Sequence, residues 1–381
     1  MQIKSVFGPD YKEIEVGEII VLAKDKPLKL VCGAEISNFN LAYQTYGKLN
    51  VDKSNAIVVC HALTGDQYVA SANPITGKDG WWNSMVGSGK PIDTDKYFVI
   101  CSNVIGGCLG SFSPKEINPK TNQPYALDFP IITITDIVNA QKLLIDYLEI
   151  KKLLAVVGGS MGGFQALQWA VSYPEFSKAI VPIATSYRYS TQNIAFNEVS
   201  RQAIMADPDW CGGKYLLEKK YPSKGLAVAR MAANITYLSE EALHKKFGRN
   251  LQNKDSFSFN LDDDFQIESY LRHQGSSFAN RFDPNCYIYI TKALDYFDLE
   301  AENNGVLSDA FKNIKSKFCV ISFSDDWLFP TAESKKLTQA LAISGVDVSF
   351  LEIVGGAGHD SFLINNEALK ETVAGFIGAV F

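Results

Sequence analysis

The sequence predicts an α/β protein in which a mostly parallel sheet is flanked by helices and interrupted by one helical insertion. Three observations carry that expectation. Short continuous apolar runs such as Leu153–Val157 have the length and β-branching of strands covered on both faces. These runs alternate with helix-patterned segments along most of the 381 residues. Between about residues 187 and 304 the alternation stops and helical patterns take over.

The first strands expected are Glu18–Ala23, Leu28–Cys32 and Phe39–Thr45, all antiparallel, followed by Ala56–Cys60 and Tyr97–Cys101. A helix over Asp136–Tyr147, with Thr135 as its N-cap, leads into the strand at Leu153. Phe164, Leu167, Gln168, Trp169 and Val171 continue as a helix that stops near Ser172-Tyr173-Pro174, and a strand follows over Lys178–Ala184. The insertion then contributes Leu226–Ile235, Glu240–Phe247 and Cys286–Tyr296 as helices. Alternation resumes at Lys317, with strands at Phe318–Phe323 and Val348–Val354. The expected organisation is therefore a core formed by residues 1–186 and 305–381 and a helical lid, 187–304, that walls the active site and forms a subunit interface.

Composition limits the class. A chain 46% hydrophobic and 20% charged has enough apolar residues for a large core. Its net charge of -6, with only short lysine pairs such as Lys219-Lys220 and Lys245-Lys246, argues against a nucleic-acid partner. No apolar run approaches a membrane span, and the first ten residues lack the pattern of a secretory signal. Seven scattered cysteines form no C-x-x-C pair, and Cys60, Cys101 and Cys319 sit inside apolar strands; they read as reduced, buried thiols of a cytoplasmic protein, with no zinc site.

The most informative segment is Gly158-Gly159-Ser160-Met161-Gly162, a G-x-S-x-G turn between a strand and a helix. So tight a turn leaves no room for side chains two positions either side of the serine, and it holds Ser160 out as a nucleophile. Met161 then offers a backbone N–H at a helix N-terminus, where developing negative charge is favoured. A nucleophilic serine needs a base, and the base needs an acid to orient it. Of four histidines, His244 and His273 fall in charged or helix-like stretches and His61 directly follows a strand. His359, in Gly358-His359-Asp360 just beyond the last strand, is the candidate base. The acid is in Ser324-Asp325-Asp326-Trp327, and spacing alone does not separate Asp325 from Asp326. With Asp326, the chain order Ser160, Asp326, His359 is that of an α/β-hydrolase fold. The second oxyanion donor is assigned to the Leu63 N–H in His61-Ala62-Leu63-Thr64-Gly65, with His61 either shaping the loop or simply buried and hydrogen-bonded.

At this point the chain closely resembles the α/β-hydrolase-type homoserine O-acyltransferases, the homoserine O-acetyltransferase family of methionine biosynthesis. The resemblance runs nearly end to end. It rests on His61–Gly65, Asn103-Val104-Ile105-Gly106-Gly107-Cys108, Asp128-Phe129-Pro130, Gly158–Gly163, Asn193–Asn197, Tyr270-Leu271, Arg281-Phe282-Asp283, Ser324–Pro330 and Gly358–Asp360. It implies Asp326 as the acid, and Thr64, Arg230, Tyr237 and Asp360 as contacts to the amino-acid substrate. The doubled Asp325-Asp326 and the wording of Ser186–Thr191 depart from the family pattern. A forked guanidinium for the carboxylate and a counter-charge for the ammonium are what a desolvated zwitterion requires.

The implied reaction is ping-pong transfer from acetyl-CoA (or succinyl-CoA) to L-homoserine through an acyl-Ser160, in a homodimer, with no metal and no bound cofactor. The alternatives are a homoserine O-succinyltransferase or a serine O-acyltransferase on the same scaffold. Remoter ones are an esterase or thioesterase, or a non-catalytic binding protein.

Overall fold

Continuous burial decides which runs become central strands. In the computed structural model, which describes residues 2–10 and 12–381, nine strands among the described residues form one sheet. They are β1 (Gln2–Phe7), β2 (Lys12–Leu22), β3 (Phe39–Tyr46), β4 (Ala56–Cys60), β5 (Phe98–Ser102), β6 (Leu153–Gly159), β7 (Ser177–Ile183), β8 (Lys317–Phe323) and β9 (Val348–Ile353). Their spatial order is β1-β2-β3-β5-β4-β6-β7-β8-β9. The pairings from β1 to β5 are antiparallel, and all those from β5 to β9 are parallel. Every residue of β4 and β6 is buried. Alternate side chains feed two cores: Ala56, Val58 and Cys60 one, Ile57 and Val59 the other. Each valine or isoleucine side chain so removed from water contributes about 1.5–3 kcal/mol.

Helices α1 (Ile134–Tyr147) and α2 (Met161–Ser172) cover the first core. Five more lie between β7 and β8: α3 (Thr191–Met205), α4 (Ser223–Tyr237), α5 (Glu240–Phe247), α6 (Gln266–Ala279) and α7 (Pro284–Asp295). The chain leaves and rejoins the sheet side by side, with Tyr189 N–H donating to Phe297 O (2.9 Å) and Leu299 N–H to Tyr187 O (3.1 Å). After β8 come α8 (Thr331–Ile343), whose Leu337, Ala340 and Leu341 join the first core, and α9 (Glu367–Val380), whose Leu369, Val373 and Ile377 cover the second core. No described helix is long and apolar enough to cross a membrane. No disulfide joins any of the seven cysteines, and five of them are buried.

Several local expectations need correction. α1 is capped by Thr133, not Thr135: Thr133 Oγ1 accepts the Asp136 N–H (3.3 Å) while Asp136 Oδ2 accepts the Thr133 N–H (2.9 Å), so a reciprocal box starts the helix two residues early. Leu28–Cys32 is no strand of the main sheet. Only Leu28–Lys29 pairs, with Glu35–Ile36, because the chain turns back through Gly33 at φ +89°. β2 and β7 stop one residue short of expectation, since Ala23 and Ala184 take positive φ. β1 was not anticipated: Gln2–Phe7 has no continuous apolar run and pairs along one edge of β2.

Candidate active site

The carboxyl ends of the parallel strands bring the site together. β6 delivers Ser160 into a turn at φ +58°, ψ -123°, a conformation an L-residue adopts only when its surroundings enforce it. Two glycines make this turn sterically feasible. A Cβ on Gly158 would lie 2.2 Å from Gly162 O, and one on Gly162 would lie 2.1 Å from Cys60 O at the end of β4. The Ser160 N–H donates to Ile183 O (2.9 Å), which ties the turn to β7.

Ser160 Oγ lies 2.8 Å from His359 Nε2, and His359 Nδ1 lies 2.8 Å from Asp326 Oδ2. The other Asp326 oxygen accepts the Leu328 and Phe329 N–H groups, both at 2.9 Å, so the carboxylate cannot rotate away. Since Asp326 accepts from Nδ1, Nε2 is left as the acceptor for the serine hydroxyl. The pair of carboxylates that spacing leaves open is thereby separated: Asp325 Oδ2 accepts the Gly358 N–H (3.0 Å) and braces the histidine loop without touching the ring. His359 is 2% exposed and enclosed by the rings of Phe329, Phe362 and Tyr237. Burial alone would lower its pKa, but the charge and hydrogen bond of Asp326, with the charge of Asp360, outweigh burial and hold it above 6.5.

Leu63 and Met161 line the cavity beside Ser160, and neither backbone N–H has a hydrogen-bond partner among the described residues. Met161 opens α2, so its N–H lies outside the helical bonding pattern. The Leu63 loop is held from below by His61, whose Nε2 accepts the Val104 N–H (3.1 Å) and whose Nδ1 donates to Ala62 O (2.7 Å). Burial lowers the His61 pKa to about 4, partly opposed by the bond to Ala62, so the ring is neutral and structural.

The four residues expected to contact substrate converge on the same place. Arg230 Nη1 donates to Thr64 Oγ1 (3.4 Å), and its guanidinium carbon is 5.3 Å from the Tyr237 ring centre. The Tyr237 ring centre in turn lies 6.0 Å from that of His359. Burial raises the pKa of the Asp360 carboxyl above the ordinary carboxylate value, with the charges of His359 and Arg230 opposing in part. His244 lies in the last turn of α5, and His273 lines an outer cleft; neither is in contact with Ser160.

Two spaces flank the Leu63-Thr64 segment, Leu63 lining one and Thr64 the other. The inner cavity, about 40 Å³, is bounded by Ser160, Leu63, Met161, Phe196, Leu328 and Phe329, with no cationic side chain on its described walls. The outer cleft, about 560 Å³, is lined by Thr64, Arg230, Arg281, Lys78, His273 and Trp81 among others. In the sequence Arg281 stands only as part of the Arg281-Phe282-Asp283 motif. Its Nη1 donates to Thr64 O (3.1 Å), a contact between distant segments that no local pattern announces.

The alpha/beta hydrolase fold family matches residues 55–366. The homoserine O-acetyltransferase of Mesorhizobium japonicum is 59% identical over 361 residues, covering 95% of this chain and 93% of its own. That of Pelagibacter ubique is 56% identical, covering 97% of this chain and 98% of its own. Among solved structures, a homoserine O-acetyltransferase from Bacillus anthracis superposes with a TM-score of 0.86 at 28% identity, over 94% of this chain and 96% of its own. Esterase E22 superposes with a TM-score of 0.85 at 28% identity, over 94% and 99%. Transferases and esterases thus share this fold, while the relatives above half identity carry the transferase name.

Proposed function

The chain belongs to the homoserine O-acetyltransferases of the α/β-hydrolase fold, and from that premise we propose that it transfers acetyl from acetyl-CoA to the side-chain hydroxyl of L-homoserine through an acetyl-Ser160 intermediate. The geometry that carries this reading puts a guanidinium and a carboxyl group near the Ser160–His359 contact, Arg230 lying 5.3 Å from the Tyr237 ring, whose centre is 6.0 Å from that of His359, and Asp360 following His359 in the chain, which gives a zwitterion a carboxylate partner and an ammonium partner. An esterase, whose acceptor is water, needs neither.

As Ser160 Oγ attacks the thioester carbonyl, its proton passes to His359 Nε2, and Asp326 stabilises the imidazolium. The Leu63 and Met161 N–H groups donate hydrogen bonds to the developing oxyanion, each worth on the order of a hundredfold or more in rate. The C–S bond then breaks, the His359 proton goes to the departing sulfur, and coenzyme A leaves. Homoserine enters with its carboxylate on Arg230, its ammonium on Asp360 and further hydrogen bonds from Thr64 and Tyr237. Its hydroxyl gives a proton to His359 and attacks the acetyl carbon. The bond to Ser160 Oγ breaks, that oxygen takes the proton back, and O-acetylhomoserine departs. Side chains and backbone N–H groups carry every step, with acetyl-CoA as a substrate.

Acetyl is favoured over succinyl by the inner cavity. Its volume suits a two-carbon acyl group, whereas a succinyl carboxylate would be buried against walls without a cation. In this reading residues 187–304 act as the lid over a core of 1–186 and 305–381, and the outer cleft admits the donor. The exposed apolar residues Val199 on α3 and Val228 and Ile235 on α4 support pairing of two copies through the lid. The reduced thiols support a cytoplasmic location.

The test is thiol release from acetyl-CoA and from succinyl-CoA, each with L-homoserine, L-serine or no acceptor, with products identified by mass and Ser160→Ala as the control. Fast release that requires acetyl-CoA and homoserine, and is lost in Ser160→Ala, is expected. Equal release without acceptor would make the protein a hydrolase.

A further inference from the structure

The segment that carries the Leu63 N–H is tied at both ends, by different parts of the molecule. On the upstream side, Ala62 O accepts from His61 Nδ1 (2.7 Å) and from the Gly65 N–H (2.9 Å). Ala62 C=O and Leu63 N–H belong to one rigid peptide plane, so fixing the carbonyl fixes the direction of the N–H. On the downstream side, Thr64 O accepts from Arg281 Nη1 (3.1 Å). His61 belongs to the segment following β4, but Arg281 lies between α6 and α7, in the helical insertion. Only the two rotatable backbone units of Leu63 and Thr64 separate the two ties.

The surroundings of Arg281 are expensive for a residue with a purely scaffolding role. Arg281 is half-buried on the wall of the outer cleft, and it shares one ring with a second cation. The Phe278 ring centre is 5.2 Å from the Arg281 guanidinium carbon and 5.0 Å from that of Arg230. Burial, then the charge of Arg230, lowers the Arg281 pKa to about 10, with Asp66 opposing. It remains a cation at neutral pH, held against a like charge, and both guanidiniums converge on Thr64: Arg230 on the hydroxyl, Arg281 on the carbonyl.

We propose that Arg281 is a positioning residue that couples the helical insertion to the oxyanion hole, holding Thr64 O so that the Leu63 N–H stays aimed at the oxyanion formed on the acyl group. Arg281 acts through the loop and touches neither reacting atom. The inference rests on the acyl-serine reading above and divides labour between the arginines: Arg230 serves the acceptor half-reaction alone, Arg281 serves both halves.

The experiment is pre-steady-state acetylation by p-nitrophenyl acetate, which needs neither coenzyme A nor homoserine, alongside the KM for homoserine in the complete reaction. Arg281→Met should slow the burst by about 10- to 100-fold, below or within the loss of one oxyanion donor, and move the homoserine KM by less than about threefold. Arg281→Lys, which keeps one donor and the charge, should recover part of the burst rate, and added guanidinium should restore part of it to Arg281→Met. A protein merely loosened at this point would show neither recovery. If Arg281→Met does not fold, the same split is read on Arg281→Gln. A burst as fast as the parent's with a raised homoserine KM would overturn the proposal and make Arg281 a second cation for the acceptor. Absence of a burst in the parent would instead strike at the acyl-serine reading itself.

Discussion

His61 and His359 are both buried, at 1% and 2% exposure, and both follow the carboxyl ends of strands in the parallel part of the sheet, yet their charges are regulated in opposite directions. Burial lowers the pKa of each. Around His61 the ring partners are backbone groups, the Val104 N–H and Ala62 O, and the pKa falls to about 4. Around His359 the charge of Asp326, with Asp360 adding to it, reverses the sign and raises the pKa above 6.5. Burial therefore does not decide whether a histidine can carry a proton; the partner on its second nitrogen does. One ring is locked neutral as a brace, and the other can be charged and discharged within the reaction.

The largest test of this contrast removes the partner. Asp326→Asn should cut acetylation by p-nitrophenyl acetate about 10³- to 10⁴-fold, as expected when the orienting carboxylate is lost, whereas Asp325→Asn should cost less than about tenfold. Equal losses would erase the distinction between the carboxylates. The pH profile supplies the sign: His359 acts as a base only when neutral, so the parent's rate falls as pH drops through a pKa above 6.5. Losing the Asp326 charge should move that acid limb to lower pH.

A smaller effect separates acceptor binding from proton transfer. Arg230→Ala should raise the homoserine KM by about 10- to 100-fold and leave the acetylation burst unchanged, because the first half-reaction contains no amino acid. A slowed burst would show that Arg230 also supports the oxyanion loop through Thr64.

The smallest effect is on stability. His61 stays neutral in the fold down to about pH 4, while the unfolded chain binds a proton near 6.5, so stability is lost as pH falls between these values, by up to about 3 kcal/mol. His359 works the other way: its raised folded pKa contributes stability below 6.5 that is lost as pH rises through that pKa. Urea unfolding of His61→Gln between pH 6.5 and 4 should show a flatter loss than the parent. A slope matching the parent's would remove His61 as the source.

Much of this was legible in the sequence because it depends on local chemistry. The glycines around Ser160 are dictated by the turn itself, and the order Ser160, Asp326, His359 follows from which strand each residue terminates. What escaped depends on neighbours distant in the chain or on a choice between near-equal local options. Thr133 and Thr135 are both competent caps, and only the reciprocal bond with Asp136 selects the first. Asp325 and Asp326 differ by which way the loop turns each carboxylate. Leu28–Cys32 has strand composition, but the turn at Gly33 spends it on a short ribbon. Arg281 meets Thr64 across 217 positions of sequence, and no periodicity encodes that meeting.

The five helices between β7 and β8 sit between strands that are already neighbours, on a segment that leaves and returns side by side. The paired residues of β7 and β8, and the strand ends that carry Ser160, Asp326 and His359, all lie outside that segment. In the proposed reading, change in this segment can therefore alter which nucleophile collects the acyl group while Ser160, Asp326 and His359 keep their places. Two tethers cross this boundary to Thr64, Arg230 to its hydroxyl and Arg281 to its carbonyl, and they mark where an exchanged segment would have to be refitted.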